Sequence, residues 1–252
     1  MSGTTERGAE TAPLRLFAFH HAGGSRALYQ GWAGRLPAGW ELRTPDAPGH
    51  GTLFGQPLVD DLDRLVDHFL ERIGPELTEP YALFGHSMGG MVACALTHRL
   101  VDEGRTPPVW LGVSATRLPG TPPLTGPRHT LDDQQLRDYI RDMGGTPREV
   151  LDDPDMWELF APLIRADFRV VDAPRPKYER PLPVPLSAFG GRFDASLPPE
   201  RLTGWAGECE EFLGLRLFDG GHFYLSTEPG PGPLVEQVVK DLRTVLERRL
   251  NR

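Results

Sequence analysis

The sequence predicts an α/β domain built on a mostly parallel sheet with helices on both faces. Three observations carry this. Short, nearly all-apolar runs of strand length alternate with longer segments whose apolar residues recur every three or four positions. The runs lack polar alternation, as strands covered on both faces require. A length of 252 residues suits one large domain or two small ones, with ample material for a buried core.

Leu14-Arg15-Leu16-Phe17-Ala18-Phe19 reads as the first buried strand, ended by the loop His20 to Ser25. Glu41 to Thr44 reads as a poorer second strand before the turn-rich Pro45 to Gly51. Leu58, Leu62, Leu65, Val66, Phe69, Leu70 and Ile73 share the face of an amphipathic helix that Gly74-Pro75 ends. Tyr81 to Gly85 is a third strand, followed without a spacer by a helical pattern from Met88 to Glu103, and Val109 to Val113 is a fourth. From about Thr116 to Arg180 the chain becomes acidic, proline-punctuated and helical in its spacing, with Leu136, Tyr139, Ile140 and Met143 as one example. Strand signal resumes at Val184 to Phe189 and at Phe212 to Phe218, and a closing helix carries Leu234, Val235, Val238, Leu242, Val245 and Leu250 on one face. The expected organisation is a polar disordered tail over 1–13, then a single domain over 14–252 with an insertion at about 116–180 packed over one end of the sheet.

Several function classes are excluded. Lysine occurs only at Lys177 and Lys240, neither after glycine, so there is no phosphate-binding G-K-[ST] loop, and no G-x-G-x-x-G follows the first strand. A net charge of −8 argues against nucleic acid or anionic lipid as partner. No apolar run is long enough for a membrane span. Cys94 and Cys209, the two cysteines, imply no disulfide framework, and neither C-x-x-C nor H-E-x-x-H supports a metal site. No cofactor is expected. The first residues lack a basic start and an apolar signal core, so a cytoplasmic location is expected.

The chemical signal is Gly85-His86-Ser87-Met88-Gly89. A G-x-S-x-G is weak alone and gains meaning from its place between a strand and a helix. There a strained turn lifts the serine oxygen clear of the sheet edge, and strand and helix approach too closely for any side chain two residues before or after. The helix from Met88 adds amides and a dipole that favour negative charge beside Ser87. A serine hydroxyl needs a base to take its proton. His222, after Gly220-Gly221 beyond the last strand, has the expected position, whereas His98 lies inside the helix and His129 inside the insertion. The orienting acid should leave a strand end before that histidine. Asp194 fits, and Asp219, three residues before His222, is its rival. The oxyanion donors expected are the amide of Met88 and one from the loop after the first strand, best supplied by Ala22 before Gly23-Gly24. No chemical role falls to His21, and His86 is expected to support the turn.

Phe19-His20-His21-Ala22-Gly23-Gly24-Ser25, Gly85 to Gly90, Ala188-Phe189-Gly190-Gly191 before Asp194, and Gly220 to Leu225 together resemble the type II thioesterases of polyketide and nonribosomal peptide synthesis. The likeness runs from about Leu14 to Leu250 with the motifs in family order. It implies an α/β-hydrolase fold with a helical lid, and hydrolysis of stalled or aberrant acyl groups from the phosphopantetheine arm of acyl or peptidyl carrier proteins. By position, Ser87, Asp194 and His222 carry over as a triad, with Ala22 and Met88 as oxyanion donors. Pro48-Gly49-His50-Gly51 departs from the family, which usually has arginine in place of His50, and this puts a local ion pair in doubt. A general carboxylesterase or acyl-CoA thioesterase would share every catalytic residue and differ in the lid, while a non-catalytic hydrolase-fold binding protein would have little reason to keep all three. Since a carrier protein is typically acidic, docking is expected through apolar residues and a few arginines of the insertion, such as Arg128, Arg137 or Arg141, and not through a basic face.

Overall fold

In chain order the elements are β1 (Leu14–Phe19), β2 (Trp40–Arg43), α1 (Leu62–Ile73), β3 (Tyr81–His86), α2 (Met88–Asp102), β4 (Leu111–Ser114), α3 (Asp133–Met143), α4 (Arg148–Asp152), α5 (Pro154–Asp172), β5 (Leu186–Gly191), β6 (Phe212–Phe218) and α6 (Gly232–Leu250), with short 3-10 turns between them. The computed structural model describes residues 13–251 except 79, 125, 176 and 228. The stretch expected to be a tail lies, up to residue 12, outside the described residues. The strands form one sheet in the order β2-β1-β3-β4-β5-β6, every pair parallel.

Alternate strand residues point to opposite faces, and both faces are buried. Phe17 and Phe19 of β1, Tyr81 and Leu83 of β3, and Leu111 and Val113 of β4 join Leu65, Val66 and Phe69 of α1 and Met91, Val92 and Leu96 of α2 in one core. Leu14, Leu16, Ala18, Ala82, Phe84 and Phe189 turn the other way and meet Leu234, Val235, Val238 and Leu242 of α6. This two-sided demand is why the strands read as unbroken apolar runs.

Local differences from the sequence reading have physical causes. The helical pattern from Leu58 begins only at Leu62, because the Asp61 side chain accepts from the Arg64 amide and caps α1 there. Gly190 and Gly191, beyond the expected strand end at Phe189, are the last residues of β5 and pair with Leu217 and Phe218. The region between β4 and β5 holds α3, α4 and α5. A reciprocal Asp132–Gln135 capping box starts α3, and Asp153 caps α5 by accepting from the Asp155 and Met156 amides. Leu163, Ile164 and Phe168 of α5 join the same core as α1 and α2.

The chain steps from β1 out to β2 and then returns to β3 on the other side of β1. The carboxyl ends of β1 and β3 therefore flank the switch point of the sheet, where open α/β sheets have their crevice. The loop after β1 and the turn after β3 both open there.

One polar chain lies inside the apolar layer on the α6 side. The Trp110 indole N–H donates to Ser187 Oγ (3.0 Å), which donates to Asp241 Oδ2 (2.7 Å), while the Gln237 amide donates to Asp241 Oδ1 (2.7 Å). Ser187 is wholly buried and Asp241 is 5% exposed. Ser187→Ala strands a buried indole donor and one carboxylate oxygen, so thermal unfolding should show a loss of about 2–4 kcal/mol with activity retained on the surviving folded protein.

Candidate active site

The turn between β3 and α2 is fixed by backbone contact. A Cβ on Gly85 would lie 2.0 Å from the Gly89 carbonyl oxygen, and one on Gly89 would lie 2.0 Å from that of Phe19. No side chain fits either gap. Ser87 takes φ 56° and ψ −116°, a region that costs a non-glycine residue about 1–3 kcal/mol and persists only when its surroundings impose it. They do: the Ser87 amide donates to the Ser114 carbonyl (2.8 Å), and Thr116 Oγ1 donates to the Ser87 carbonyl (3.0 Å). Ala115, beside them, also has positive φ, at 47°.

The strained turn points Ser87 Oγ at an imidazole. His222 Nε2 lies 2.9 Å from it, and His222 Nδ1 lies 2.7 Å from Asp194 Oδ2. The other carboxylate oxygen, Oδ1, accepts from Ser196 Oγ (2.6 Å) and from the Ser196 (2.9 Å) and Leu197 (3.0 Å) amides. Burial alone would push the Asp194 carboxyl up. The His222 bond and charge, with Ser196 and the Leu197 amide, outweigh it and hold the group below its ordinary value. An ionised Asp194 fixes the proton on Nδ1 and leaves the Nε2 lone pair facing the hydroxyl, the tautomer that can take a proton from Ser87. Asp219 is 85% exposed in its side chain and pairs with Arg192 (3.0 Å), so of the two acids it is Asp194 that meets His222.

The remaining sequence-singled residues fall as follows. Met88 opens α2, where a first-turn amide has no intrahelical acceptor. The Ala22 amide has no acceptor among the described residues. His86 is buried, with Nδ1 2.8 Å from Ser114 Oγ, which is 2.7 Å from the Tyr224 hydroxyl. Burial, with His222 and His21 adding to it, holds the His86 imidazole well below its ordinary value, and burial takes His21 down to about 3. These rings stay neutral beside His222. His98 stacks on Tyr178 at 3.4 Å, and His129 lies 3.7 Å from Asp172; neither approaches the serine. Among the described residues no group of three or more His, Cys, Asp or Glu is arranged to hold a metal ion, and no helix is long and apolar enough to cross a membrane.

Residues 14–245 match the family model described as the thioesterase domain. The chain belongs to the thioesterase family. It is 30% identical over 239 residues to the gramicidin S biosynthesis protein GrsT of Aneurinibacillus migulanus, covering 95% of this chain and 93% of that protein. Among solved structures it superposes on ClbQ, from the colibactin NRPS/PKS pathway, with a TM-score of 0.85 at 27% identity over 93% of this chain and 98% of the other. It also superposes on BorB, a type II thioesterase from the borrelidin biosynthetic cluster, with a TM-score of 0.81 at 28% identity over 94% and 95%. The fold is accordingly the α/β-hydrolase fold of these thioesterases.

One cavity of the thioesterase opens on the serine turn and a second lies beyond the loop after β1. A chamber of about 70 Å³ is lined by Ser87 and His222 together with Leu118, Arg128, Tyr139 and Val171. A larger one, about 540 Å³, lies beyond the loop after β1, between Gly23, His50, Phe54, Phe160, Ile164 and Phe223. The insertion roofs both. The three arginines expected to help dock a carrier are each engaged within the protein. Arg128 is largely buried against Asp172, Arg141 pairs with Asp138 and Asp152, and the Arg137 guanidinium stacks on Trp157 at 4.7 Å. Helical spacing exposes a position without revealing its partner, and these partners lie on other helices or one turn away.

Sequence reasoning missed Ser196 and Asp167. An Asp-x-Ser turn, Asp194-Ala195-Ser196, was a usable sign of the first. Nothing local marks Asp167, which sits mid-helix in α5.

The close approach at Gly89 yields a direct test. Gly89→Ala puts a methyl into the Phe19 carbonyl and should cost about 3 kcal/mol or more in thermal unfolding, with loss of turnover. Gly207→Ala, where a Cβ meets nothing within 4 Å, should stay within about 0.5 kcal/mol of the parent.

Proposed function

We propose that the protein is a type II thioesterase that hydrolyses acyl groups from the phosphopantetheine arm of acyl or peptidyl carrier proteins, using Ser87, His222 and Asp194 as its triad. The observation that carries this is the unbroken chain Ser87 Oγ–His222 Nε2 (2.9 Å), His222 Nδ1–Asp194 Oδ2 (2.7 Å), set on a turn with a strained serine. Likeness to thioesterases of such pathways over nearly the whole chain supports the substrate class.

Ser87 Oγ attacks the thioester carbonyl while His222 Nε2 takes its proton, and Asp194 stabilises the imidazolium. The oxyanion is held by the amides of Met88 and Ala22. Collapse breaks the carbon–sulfur bond, and the thiol leaves with the proton from His222. Water, deprotonated by His222, then attacks the acyl-serine, the C–O bond breaks, and Ser87 recovers its proton as the free acid departs. No cofactor enters any step. The chamber of about 70 Å³ admits a short acyl group, and the larger cavity beyond the loop takes the arm. The carrier meets apolar residues at the mouth, such as the half-exposed Phe54 packed near Phe160, and draws little on the insertion's arginines.

Ser87→Ala should leave less than about a thousandth of wild-type kcat on an acyl-carrier substrate in a folded protein, and Asp194→Asn should lower kcat by about 10⁴-fold through the wrong imidazole tautomer. Asp219→Asn, altering only an exposed pair, should be within about twofold. The reverse ranking of the two aspartates would move the acid to Asp219. For the partner, kcat/KM is compared for one acyl group on holo carrier protein and on a short pantetheine analogue. Preference for the protein-borne substrate by about tenfold or more supports docking, whereas equal use of the free analogue points to a thioesterase that reads only the acyl group and arm.

A further inference from the structure

The loop His20 to Ser25 is held by a buried pair that lies outside the triad. Asp167 Oδ2, on α5, accepts from the Gly23 amide (2.6 Å) and from His50 Nε2 (2.8 Å). Asp167 is 2% exposed and His50 3%. On the other side of the same peptide, the Ala22 carbonyl accepts from His21 Nδ1 (2.8 Å). The Ala22–Gly23 peptide plane is thus tied at both ends. The preceding plane is tied as well: the His21 carbonyl accepts from His20 Nδ1 (2.8 Å) and from the Gly24 amide (3.0 Å). That plane carries the Ala22 N–H, which has no acceptor among the described residues.

His50 is placed so that its charge matters. Its Nδ1 faces the Pro48 carbonyl at 3.0 Å and its Nε2 faces the Asp167 carboxylate. Both partners are acceptors, so the ring makes both bonds only while one proton more than a neutral imidazole and an ionised carboxylate supply is held between His50 and Asp167. We propose that Asp167 and His50 are a positioning pair for acyl transfer, holding the Ala22 amide in place through Gly23, and that loss of the shared proton at high pH releases this hold. The proposal rests on the oxyanion role given to Ala22 above.

The surroundings fit a charged His50. Burial alone would lower its pKa; the Asp167 charge and bond, with the Pro48 carbonyl, outweigh that and raise it above its ordinary value. The groups facing the pair are few. His20, 4.8 Å away ring to ring, is taken by burial down to about 4 and accepts from the Ala47 amide through Nε2 (3.1 Å), so it is neutral where the enzyme works. Asp46, beyond His20, is occupied by Arg26 and Thr52. His21, on the Gly23 side, is neutral too. A group with a raised folded pKa contributes in full below its unfolded value, about 6.5, and loses its contribution as pH rises through the folded value. The pair therefore fails on the alkaline side.

The test is steady-state kinetics on an acyl-pantetheine thioester from about pH 6 to about pH 10 with wild type, Asp167→Ala, His50→Gln, His50→Arg and Ser87→Ala. Misplacing one donor should cost Asp167→Ala about 10²-fold and His50→Gln about tenfold in kcat, with KM within about threefold, because the interaction is made to the transition state. His50→Arg supplies a cation that does not titrate in this range, with the larger cavity to take its bulk. It should recover most of the kcat lost in His50→Gln and carry no alkaline fall below about pH 10. Unchanged kcat in Asp167→Ala, a loss confined to KM, or a His50→Arg profile that falls with the wild type overturns the proposal. If Asp167→Ala does not fold, the comparison of His50→Arg with wild type decides alone. Activity surviving in Ser87→Ala overturns the triad reading instead, so the two failures are distinguishable.

Discussion

The contact of β3 with α2 at Gly85 and Gly89 is the constraint on which the rest of the structure depends. Two backbones that leave no room for a methyl force Ser87 into a positive φ, and only that conformation lifts its oxygen off the sheet while leaving the first amides of α2 beside it. The strain is held locally by Ser114 and Thr116 and globally by the parallel pairing of β3 with both β1 and β4. Because all strands are parallel, the loops after β1, β5 and β6 open at the same edge. Asp194 and His222 therefore converge on Ser87 from separate parts of the chain without any long excursion.

Electrostatically, the site is a small number of charges among many neutral rings. His20, His21 and His86 all lie near His222 or His50, and burial keeps each of them uncharged. Had they been cations, they would have made His222 a poorer proton acceptor. Two of the buried carboxylates matter most here, and each is held by donors: Asp194 by His222, Ser196 and the Leu197 amide, and Asp167, through Oδ2, by His50 and the Gly23 amide. A buried carboxylate is tolerated on these terms because its charge is offset by N–H and O–H donors.

What could be read in the sequence follows from what is local. The six strands and the principal helices announce themselves because burial on two faces leaves an unbroken apolar run and burial of one stripe leaves a period. The Gly85 to Gly89 turn is legible because its steric demand falls within five residues. His222 and Asp194 could be placed by chain order relative to strands, and Asp219 remained a rival because sequence distance does not show which way a loop turns. The helix starting at Leu62 and the strand running on through Gly191 differ from the reading by a few residues, where one side-chain cap and one extra strand pairing decided the boundary. Asp167 was out of reach. Its partners, Gly23 and His50, are more than a hundred residues away, and at its own position it is one acidic residue on an amphipathic helix.

That last residue changes what the insertion is for. α5 sends Ile164 under Gly23, whose Cβ, if present, would lie 3.3 Å from Ile164 Cγ1, and Asp167 onto the Gly23 amide one turn later. The same helix roofs both cavities through Leu163 and Ile164 on one side and Val171 on the other. A helix that both covers the acyl chamber and touches the loop beside the serine cannot shift without moving that loop. The roof over the two cavities and the loop that carries Gly23 are therefore one mechanical unit.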